Sequence, residues 1–247
     1  MKIESVLHIG ASHTNHCEDY LLVDESLKDI LVCAVMDGCT MGNESYFASA
    51  LTGKLLHKLL REKAYKDFYT LKKSTVSLEE DAKYLLQHLF IEIKQIRNLL
   101  LLETHDLLTT LILALVDRNS QEALILVLGD GVVTINGEIY IFDQENTPDY
   151  FAYHLSEDFE TWYGKQTQKI HATQLQTLAI ATDGIETFVS NHPSTPDLKI
   201  NPIEWLMTNP VQEKETLLSR FNMLANIWHL QPLDDLAIIR IIHTEPD

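Results

Sequence analysis

Two apolar segments that each end in Asp-Gly constrain the fold of this chain more than any other feature. Residues 30–36 lead into Asp37-Gly38, and residues 178–182 lead into Asp183-Gly184. The first run is apolar throughout and therefore predicts a strand that is buried on both faces. Asp-Gly alone is an ordinary turn signal, but two such strands that each deliver an aspartate predict carboxylates at the rim of a sheet. The glycine that follows lets a ligand or metal approach the backbone closely.

Composition limits the classes of protein to which the chain can belong. The 247 residues are 45% hydrophobic and contain no linker that would separate two domains, so we expect a single domain over residues 1–247. The net charge of -17 argues against nucleic acid and anionic membranes as partners, because phosphate binding depends on Lys and Arg. Three irregularly spaced cysteines exclude a disulfide framework, and the absence of a CxxC pair argues against zinc. With no signal-peptide core and no membrane-length apolar run, we expect a soluble, cytoplasmic protein.

The N-terminal half predicts three strands followed by two helices. Strands are expected at residues 2–9, 20–23 and 30–36, and the short link between the last two predicts an antiparallel hairpin that brings Asp19 and Asp37 to one edge. Apolar residues at helical spacing predict a helix after the candidate N-cap Asn43 and a longer one after Ser77. Ser77 and Glu80 form a capping box at the start of the second helix. The polar stretch 65–75 between the helices is expected to be a loop.

The C-terminal half returns to strands and closes with helix and strand. Four strands are expected in a meander, with Asn136-Gly137 as a hairpin turn, at 108–116, 124–128, 132–135 and 139–142. Residues 143–175 show no clear period and predict a surface or lid-like excursion, with a functional lid and an ordinary covering segment as equal alternatives. Helix is expected at 203–208 and 212–228, before a strand at 236–242. This order predicts sheets covered by helix pairs on both outer faces.

Acidic residues gather at the predicted strand ends. They are Glu18, Asp19, Asp37, Asp183, Asp234 and Asp235. Oxygen ligands without His or Cys favour Mg²⁺, Mn²⁺ or Ca²⁺ over zinc. Several carboxylates that meet without basic neighbours repel one another, so cations are expected between them. Any one of these residues alone is better explained as a turn or cap, but their joint placement indicates a hard-metal site.

The order and spacing of these motifs resemble the metal-dependent serine/threonine phosphatases of the type 2C family over nearly the whole chain. The motifs that carry the resemblance are Ser12-His13 with Cys17-Glu18-Asp19 (similar to a bacterial subgroup), Val35-Met36-Asp37-Gly38, Thr109-Thr110, Gly129-Asp130-Gly131, Ala181-Thr182-Asp183-Gly184 and Leu233-Asp234-Asp235-Leu236-Ala237. Leu108 stands where the family usually has glycine before the two threonines. The resemblance implies an α+β fold, an αββα sandwich of two mainly antiparallel sheets, with metals in a cleft at one end.

The resemblance also implies a ligand set. Asp37, Asp183 and Asp234 would hold the first metal, and Asp37 with the Gly38 carbonyl the second; Glu18 and Asp19 would bind directly or through waters. Asp235 would lie beside the site, where the family often has asparagine. Asp106 lies near the position of a ligand for a third, weaker metal in many bacterial members, although an exposed turn residue is nearly as good an interpretation.

The implied activity is hydrolysis of phosphorylated serine or threonine in a protein substrate. The cofactors would be two Mn²⁺ or Mg²⁺ ions, and a hydroxide that bridges them would attack phosphorus in line. We expect a monomer, and the net charge argues against nucleic acid and membranes as partners.

One departure from the family pattern bears on catalysis. Many members carry an arginine that grips the substrate phosphate just before the N-terminal acidic pair, but Ser12 to Cys17 contain none. His13 or His16 could bind the phosphate or protonate the leaving group, because histidine titrates near neutral pH. We expect no catalytic role for His16, whereas for His13 the two interpretations are equal. The alternative function is therefore a weak or inactive type 2C-like regulatory module that binds a phosphoprotein or another partner.

A second rival is excluded by the sequence. Asp37-Gly38-Cys39-Thr40 superficially resembles the Asp-x-Asp-x-Thr motif of haloacid dehalogenase-type phosphatases. That motif needs a nucleophilic aspartate two residues before its second aspartate, and Val35 occupies that position.

Overall fold

The computed structural model describes residues 1–40, 44–70, 77–144, 148–190, 200–208 and 215–243. Its strands are β1 (Lys2–His8), β2 (Tyr20–Asp24), β3 (Ile30–Met36), β4 (Leu111–Asp117), β5 (Glu122–Leu128), β6 (Gly131–Ile135), β7 (Glu138–Phe142), β8 (Lys169–Ala172), β9 (Thr177–Ala181), β10 (Phe188–Ser190), β11 (Leu230–Pro232) and β12 (Leu236–Ile242). Its α-helices are α1 (Ser45–Thr70), α2 (Leu78–Leu100), α3 (Phe159–Gly164) and α4 (Leu217–Asn226).

Two five-stranded antiparallel sheets form the centre of the molecule. The strand order is β1-β12-β9-β6-β7 in the first sheet and β2-β3-β4-β5-β8 in the second. β3 is buried along its whole length, as its uninterrupted apolar sequence predicts. The expected hairpin of β2 and β3 is confirmed, with Tyr20 opposite Met36.

Three apolar layers hold four layers of secondary structure together. Leu31, Val35 and Ile239 belong to the layer between the two sheets. A second layer joins the outer face of the second sheet to α1 and α2, and a third joins the outer face of the first sheet to α4 and a π-helical turn over Glu204–Thr208. The α+β sandwich expected from the sequence is therefore confirmed. Among the described helices, none has the length and apolar character needed to cross a membrane.

The first helix is longer than its sequence pattern suggested. Residues 65–70, expected in a loop, form the last turns of α1, while residues 71–75 and the expected N-cap Asn43 lie outside the described residues. Pairing along the helix supports these turns: Lys63 contacts Asp67 at 2.7 Å, four residues on. The capping box of α2 is confirmed, since Ser77 Oγ accepts from the Glu80 amide at 3.2 Å.

The expected meander is interrupted between β5 and β6. These strands belong to different sheets, and the chain crosses between them at residues 129–131. Gly129 and Gly131 have φ values of +93° and +136°, which strain other residues, so the crossing depends on glycine. The Asn136-Gly137 hairpin turn is confirmed, with positive φ at both positions.

Segment 143–175 contributes to the core as well as to the surface. The ring of Phe151 lies edge-on to Phe90 of α2 at 5.4 Å, and Trp162 of α3 is buried. β8 then extends the second sheet by pairing with β5. These packed elements were not predicted, because aromatic contacts made at scattered positions leave no period in the sequence. A lid role for part of the segment stays a prediction.

The C-terminal helical region is shorter than expected. The described part contains the π-helical turn at Glu204–Thr208 and α4 at Leu217–Asn226, where helix was expected at 203–208 and 212–228. Residues 209–214 lie outside the described residues. β12 confirms the expected last strand, and it occupies an inner position in the first sheet.

Candidate metal centre

Neighbouring strands bring the predicted aspartates to one edge of each sheet. Asp19 directly precedes β2 and Asp37 directly follows β3, so the antiparallel pairing sets them side by side. Each of these two carboxyl groups affects the pKa of the other. In the other sheet, Asp183 follows β9 and Asp234 lies two residues before its neighbour β12. The hydroxyl of Thr182, next to Asp183, donates to Oδ2 of Asp19 at 2.6 Å, so the two edges face one another. The charges of Asp183 and Asp234 both raise the pKa of Asp37.

Two threonines fix the backbone of Asp37. Its carbonyl oxygen accepts from the Thr110 amide at 2.9 Å and from the Thr109 hydroxyl at 2.7 Å. Its own amide donates to Thr110 Oγ1 at 3.1 Å. Thr109 and Thr110 lie just before β4, the neighbour of β3, and therefore act as a brace for the aspartate.

The glycines of the two Asp-Gly motifs are required by close backbone packing. A Cβ atom at Gly38 would overlap the carbonyl oxygen of Ser45, and one at Gly184 would overlap that of Asp235. Both positions have little room for any side chain. From the sequence we expected glycine here because a ligand approaches the backbone. In the structure, contact with adjacent backbone segments of the same chain already requires glycine at both positions.

Burial and mutual repulsion keep these carboxyl groups from ionising easily. Burial raises the pKa of Asp19 to about 8, although the hydrogen bond from Thr182 partly offsets the rise. Burial and the charges of Asp19 and Asp183 raise the pKa of Asp37 well above its usual range. Burial, together with the charges of Asp130, Asp234 and Glu186, raises the pKa of Asp183 to about 6. A cation placed among these groups would relieve the repulsion.

The donor set fits a hard divalent cation. The converging groups are carboxylates, the ligands that Mg²⁺ and Mn²⁺ prefer. The Oδ1 atom of Asp19 is buried without a hydrogen-bond partner among the described residues, which is costly unless a ligand satisfies it. Within the same described residues, no three His, Cys, Asp or Glu side chains are already arranged to hold a metal ion.

Glu18 braces the start of α1 against the site. Its carboxylate accepts from the hydroxyls of Ser45 at 2.5 Å and Thr40 at 3.1 Å. Its carbonyl oxygen accepts from the Gly38 amide at 3.2 Å and from the Ser49 hydroxyl. These hydroxyl partners were not anticipated from the sequence, and they leave both carboxylate oxygens of Glu18 already engaged.

The two histidines of the N-terminal loop occupy different surroundings. Nδ1 of His13 lies 2.9 Å from Oδ2 of Asp235, and its Nε2 lies 4.0 Å from Oε1 of Glu18. Burial lowers the pKa of His13, but the close contact and charge of Asp235, with the charges of Glu18 and Asp234, outweigh it and raise that pKa. The ring of His16 instead packs on Tyr46 at 4.5 Å. Of the two, His13 is the one beside the carboxylates.

The structure connects Asp130, rather than Asp106, with the candidate metal ligands. The side chain of Asp106 accepts from the Glu103 amide at 2.9 Å and lies 3.4 Å from His105, within a 3-10 turn. Asp130, in contrast, is buried in the crossing between the sheets, and its charge acts directly on Asp183. The Gly-Asp-Gly motif marked this residue, but no role was predicted for it from the sequence. The ligand role of Asp106 stays a prediction.

Comparison with known proteins agrees with this architecture. The family profile described as protein phosphatase 2C matches residues 9–221. A search among curated proteins finds no match.

Solved structures of bacterial phosphatases share the fold at low sequence identity. One, a bacterial serine phosphatase, is 13% identical, with a TM-score of 0.63 and coverage of 100% of this chain and 99% of that one. Another, the serine/threonine phosphatase Stp1 from Staphylococcus aureus, is 12% identical, with a TM-score of 0.65 and coverage of 98% of this chain and 95% of that one. RsbX in complex with magnesium is 16% identical, with a TM-score of 0.52 and coverage of 96% and 94%.

The matched range spans most of the chain and includes the Asp37 and Asp183 motifs and the two threonines that brace Asp37. It ends before Asp234 and Asp235, which the structure nevertheless brings to the same edge through β12. On these grounds the chain belongs to the protein phosphatase 2C family.

Proposed function

We propose that the protein is a metal-dependent protein serine/threonine phosphatase that hydrolyses phosphomonoesters. The observation that carries the proposal is the convergence of Asp19, Asp37, Asp183 and Asp234 from the edges of two sheets. Such a group of carboxylates is costly to maintain in a fold unless it binds cations. Family membership supports the reaction, and RsbX, which has the same fold, was solved with magnesium.

The residues would divide between two Mn²⁺ or Mg²⁺ ions as follows. Asp37, Asp183 and Asp234 would hold the first ion, and Asp37 with the Gly38 carbonyl the second. Asp19 would bind directly or through water, while Glu18, already engaged by two hydroxyls, would act through water. When bound, such ions neutralise phosphoryl oxygens and lower the pKa of bound water.

The remaining contributions come from the chain's own side chains. Thr109 and Thr110 keep Asp37 in place, and Thr182 orients Asp19 through a 2.6 Å hydrogen bond to its Oδ2. His13 would donate a hydrogen bond to the substrate phosphate, because its Nε2 side faces Glu18 at the rim of the site. It would thereby replace the arginine that many family members place in this loop.

The substrate would be a phosphorylated protein. The excess of acidic over basic residues, 36 against 19, disfavours nucleic acid as the phosphate source. We propose a monomer.

A non-catalytic regulatory module is the second candidate, and one observation favours it. The loop of residues 12–17 contains no arginine to bind the substrate phosphate. A module of this kind would bind a phosphoprotein or another partner without turnover.

Hydrolysis of p-nitrophenyl phosphate and of a phosphothreonine peptide would separate the two candidates. The assay should compare Mn²⁺ with EDTA, and wild type with Asp37→Asn and Asp183→Asn. Hydrolysis that requires Mn²⁺ and disappears in both variants is the expected result. Mn²⁺ binding by calorimetry without hydrolysis would favour the regulatory module, and the absence of both would contradict the metal-site proposal.

A further inference from the structure

One buried carboxylate closes the N-terminal loop at both ends. Oδ1 of Asp235 accepts from the Gly10 amide at 2.7 Å, and Oδ2 accepts from the Glu18 amide at 2.5 Å. Residues 10 to 18 make up most of the connection between β1 and β2, and this loop carries His13. The side chain of Asp235 is 0% exposed, so water cannot take over these hydrogen bonds.

The same loop is hydrogen-bonded through its backbone to the segment that precedes β12. The amides of Ala11 and Ser12 donate to the carbonyls of Pro232 and Leu233 at 3.0 and 2.8 Å. A Cβ atom at Gly10 would overlap the backbone of Asp234, so the loop and the segment before β12 are in close contact at Gly10 as well. The position of the loop is therefore set by the chain around Asp234 and Asp235.

The ring of His13 lies between the Asp235 carboxylate and the candidate metal ligands. Its Nδ1 is 2.9 Å from Oδ2 of Asp235 and 3.7 Å from Oδ1 of Asp234, while its Nε2 is 4.0 Å from Oε1 of Glu18. The Asp235 contact has an ion-pair distance, but its angle falls outside hydrogen-bond geometry. A small rotation of the ring would complete a hydrogen bond from Nδ1 and leave Nε2 facing the site.

Asparagine could not replace Asp235 in this arrangement. Both oxygens of Asp235 accept from backbone amides. An asparagine side chain has one accepting oxygen and one donating amide group, so one of the two backbone amides would face another donor. The requirement for a full carboxylate comes from the geometry of this particular loop.

We propose that Asp235 is a positioning residue, whose carboxylate closes the loop of residues 10–18 and holds the His13 ring with Nε2 toward the substrate phosphate. The substrate part of this inference rests on the proposed function. The closure of the loop and the orientation of the ring do not depend on it.

The test compares Asp235→Asn, His13→Gln and the double variant with a matched control, Asp24→Asn. Asp24 also combines a backbone amide and a histidine: it accepts from the Ser26 amide at 2.8 Å and lies 2.7 Å from Nδ1 of His57. It ends β2, whereas Asp19 precedes the start of that strand.

The first readout is NMR of the Mg²⁺-loaded protein. In wild type we expect slow exchange of the Gly10 and Glu18 amides, and a His13 Nδ1 proton that is hydrogen-bonded to Asp235. In Asp235→Asn at least one of the two amides should exchange about tenfold faster and the His13 Nδ1 proton should lose its protection, while Asp24→Asn changes neither. Fast exchange of both amides in wild type, or a His13 ring without a proton on Nδ1, would overturn the proposal even if the Asp235 variant does not fold.

The second readout is the kinetics of p-nitrophenyl phosphate hydrolysis. In the wild-type background we expect Asp235→Asn to lower kcat/KM by about 10- to 100-fold. In the His13→Gln background the same substitution should have little further effect. Equal losses in both backgrounds would mean that Asp235 acts independently of His13 and would contradict the role in orienting His13. If wild type shows no hydrolysis, the proposed function fails, while the NMR readout still decides the role of Asp235.

Discussion

The hydroxyl of Thr182 donates a 2.6 Å hydrogen bond to Oδ2 of Asp19 across the interface between the two sheets. The same hydroxyl accepts from the Ala237 amide at 2.9 Å, so it links three segments that are distant in sequence. Asp19 belongs to the edge of the second sheet, whereas Thr182 and Ala237 belong to the first. This contact ties the two halves of the candidate metal site together.

Replacing Thr182 by valine should weaken both the fold and the site. The change removes a donor to a buried carboxylate and leaves the Ala237 amide without that acceptor, so we expect a loss of about 1–3 kcal/mol in urea unfolding. Mn²⁺ affinity measured by calorimetry should also fall. The matched control is Thr134→Val, a buried threonine of β6 that donates to the Met207 carbonyl. An equal loss of Mn²⁺ affinity in the control would contradict the specific role of Thr182.

The metal-free protein should become less stable as the pH rises. The pKa of Asp19 is raised to about 8 in the folded state, above an unfolded value near 4, so its folded form retains the proton that the unfolded form releases. The stability associated with this carboxyl is therefore complete below about pH 4 and is lost as the pH rises toward 8. Melting temperatures in EDTA should show this decline in wild type and a shallower one in Asp19→Asn. Identical slopes would mean that Asp19 ionises normally in the fold.

His154 should show a pH dependence that is separate from the site. Its ring nitrogens lie 2.6 Å from Asp149 and 2.6 Å from Glu157. Burial lowers the pKa of His154, but the two carboxylates outweigh it and raise the pKa above its usual 6.5. Its contribution to stability is therefore present below about pH 6.5 and lost as the pH rises through the folded value. The difference in melting temperature between wild type and His154→Gln should be larger at pH 6 than at pH 9; a constant difference would contradict this.

Gly184→Ala should destabilise the protein through backbone crowding. The new methyl group would overlap the Asp235 carbonyl, and we expect a loss of about 1–3 kcal/mol or more in urea unfolding. Gly164 is the matched control, because a Cβ atom there meets nothing within 4 Å. Alanine at that position should be neutral or stabilising by up to about 1 kcal/mol. Comparable losses at the two positions would rule out crowding as the cause.

Asp130→Asn should affect Mg²⁺ or Mn²⁺ binding more than Asp106→Asn does. The charge of Asp130 acts on Asp183, whereas the side chain of Asp106 caps its own 3-10 turn through the Glu103 amide. Calorimetric titration of each variant with the metal, at high protein concentration, would compare the affinities of the weakest binding step. A larger effect of Asp106→Asn would restore the ligand role that the sequence predicted for it.

The sequence predicted those parts of the molecule that local patterns determine. The apolar run of β3 and the short turn after β2 were enough to predict that Asp19 and Asp37 lie side by side, because antiparallel pairing follows from a short link. Likewise, the order of strands and helices predicted sheets covered by helices on their outer faces, and the family resemblance implied the αββα sandwich.

The supporting contacts of the site could not be predicted in the same way. Asp235 reaches Gly10 across 225 residues of sequence, and Ser45 reaches Glu18 from the start of a helix. Such contacts depend on how whole layers pack, and no local period records them. For the same reason the sequence did not show that the chain changes sheets at Gly129–Gly131, since the glycines there resemble an ordinary turn.

The most direct measurement of the central claim is phosphate release from a phosphothreonine peptide as Mn²⁺ is titrated into metal-free protein. Wild type and the control Asp24→Asn should show saturable, Mn²⁺-dependent release, and Asp37→Asn should show none at any concentration. Undiminished release by Asp37→Asn, or release by wild type that persists in EDTA, would contradict the proposal that these carboxylates form a catalytic metal centre.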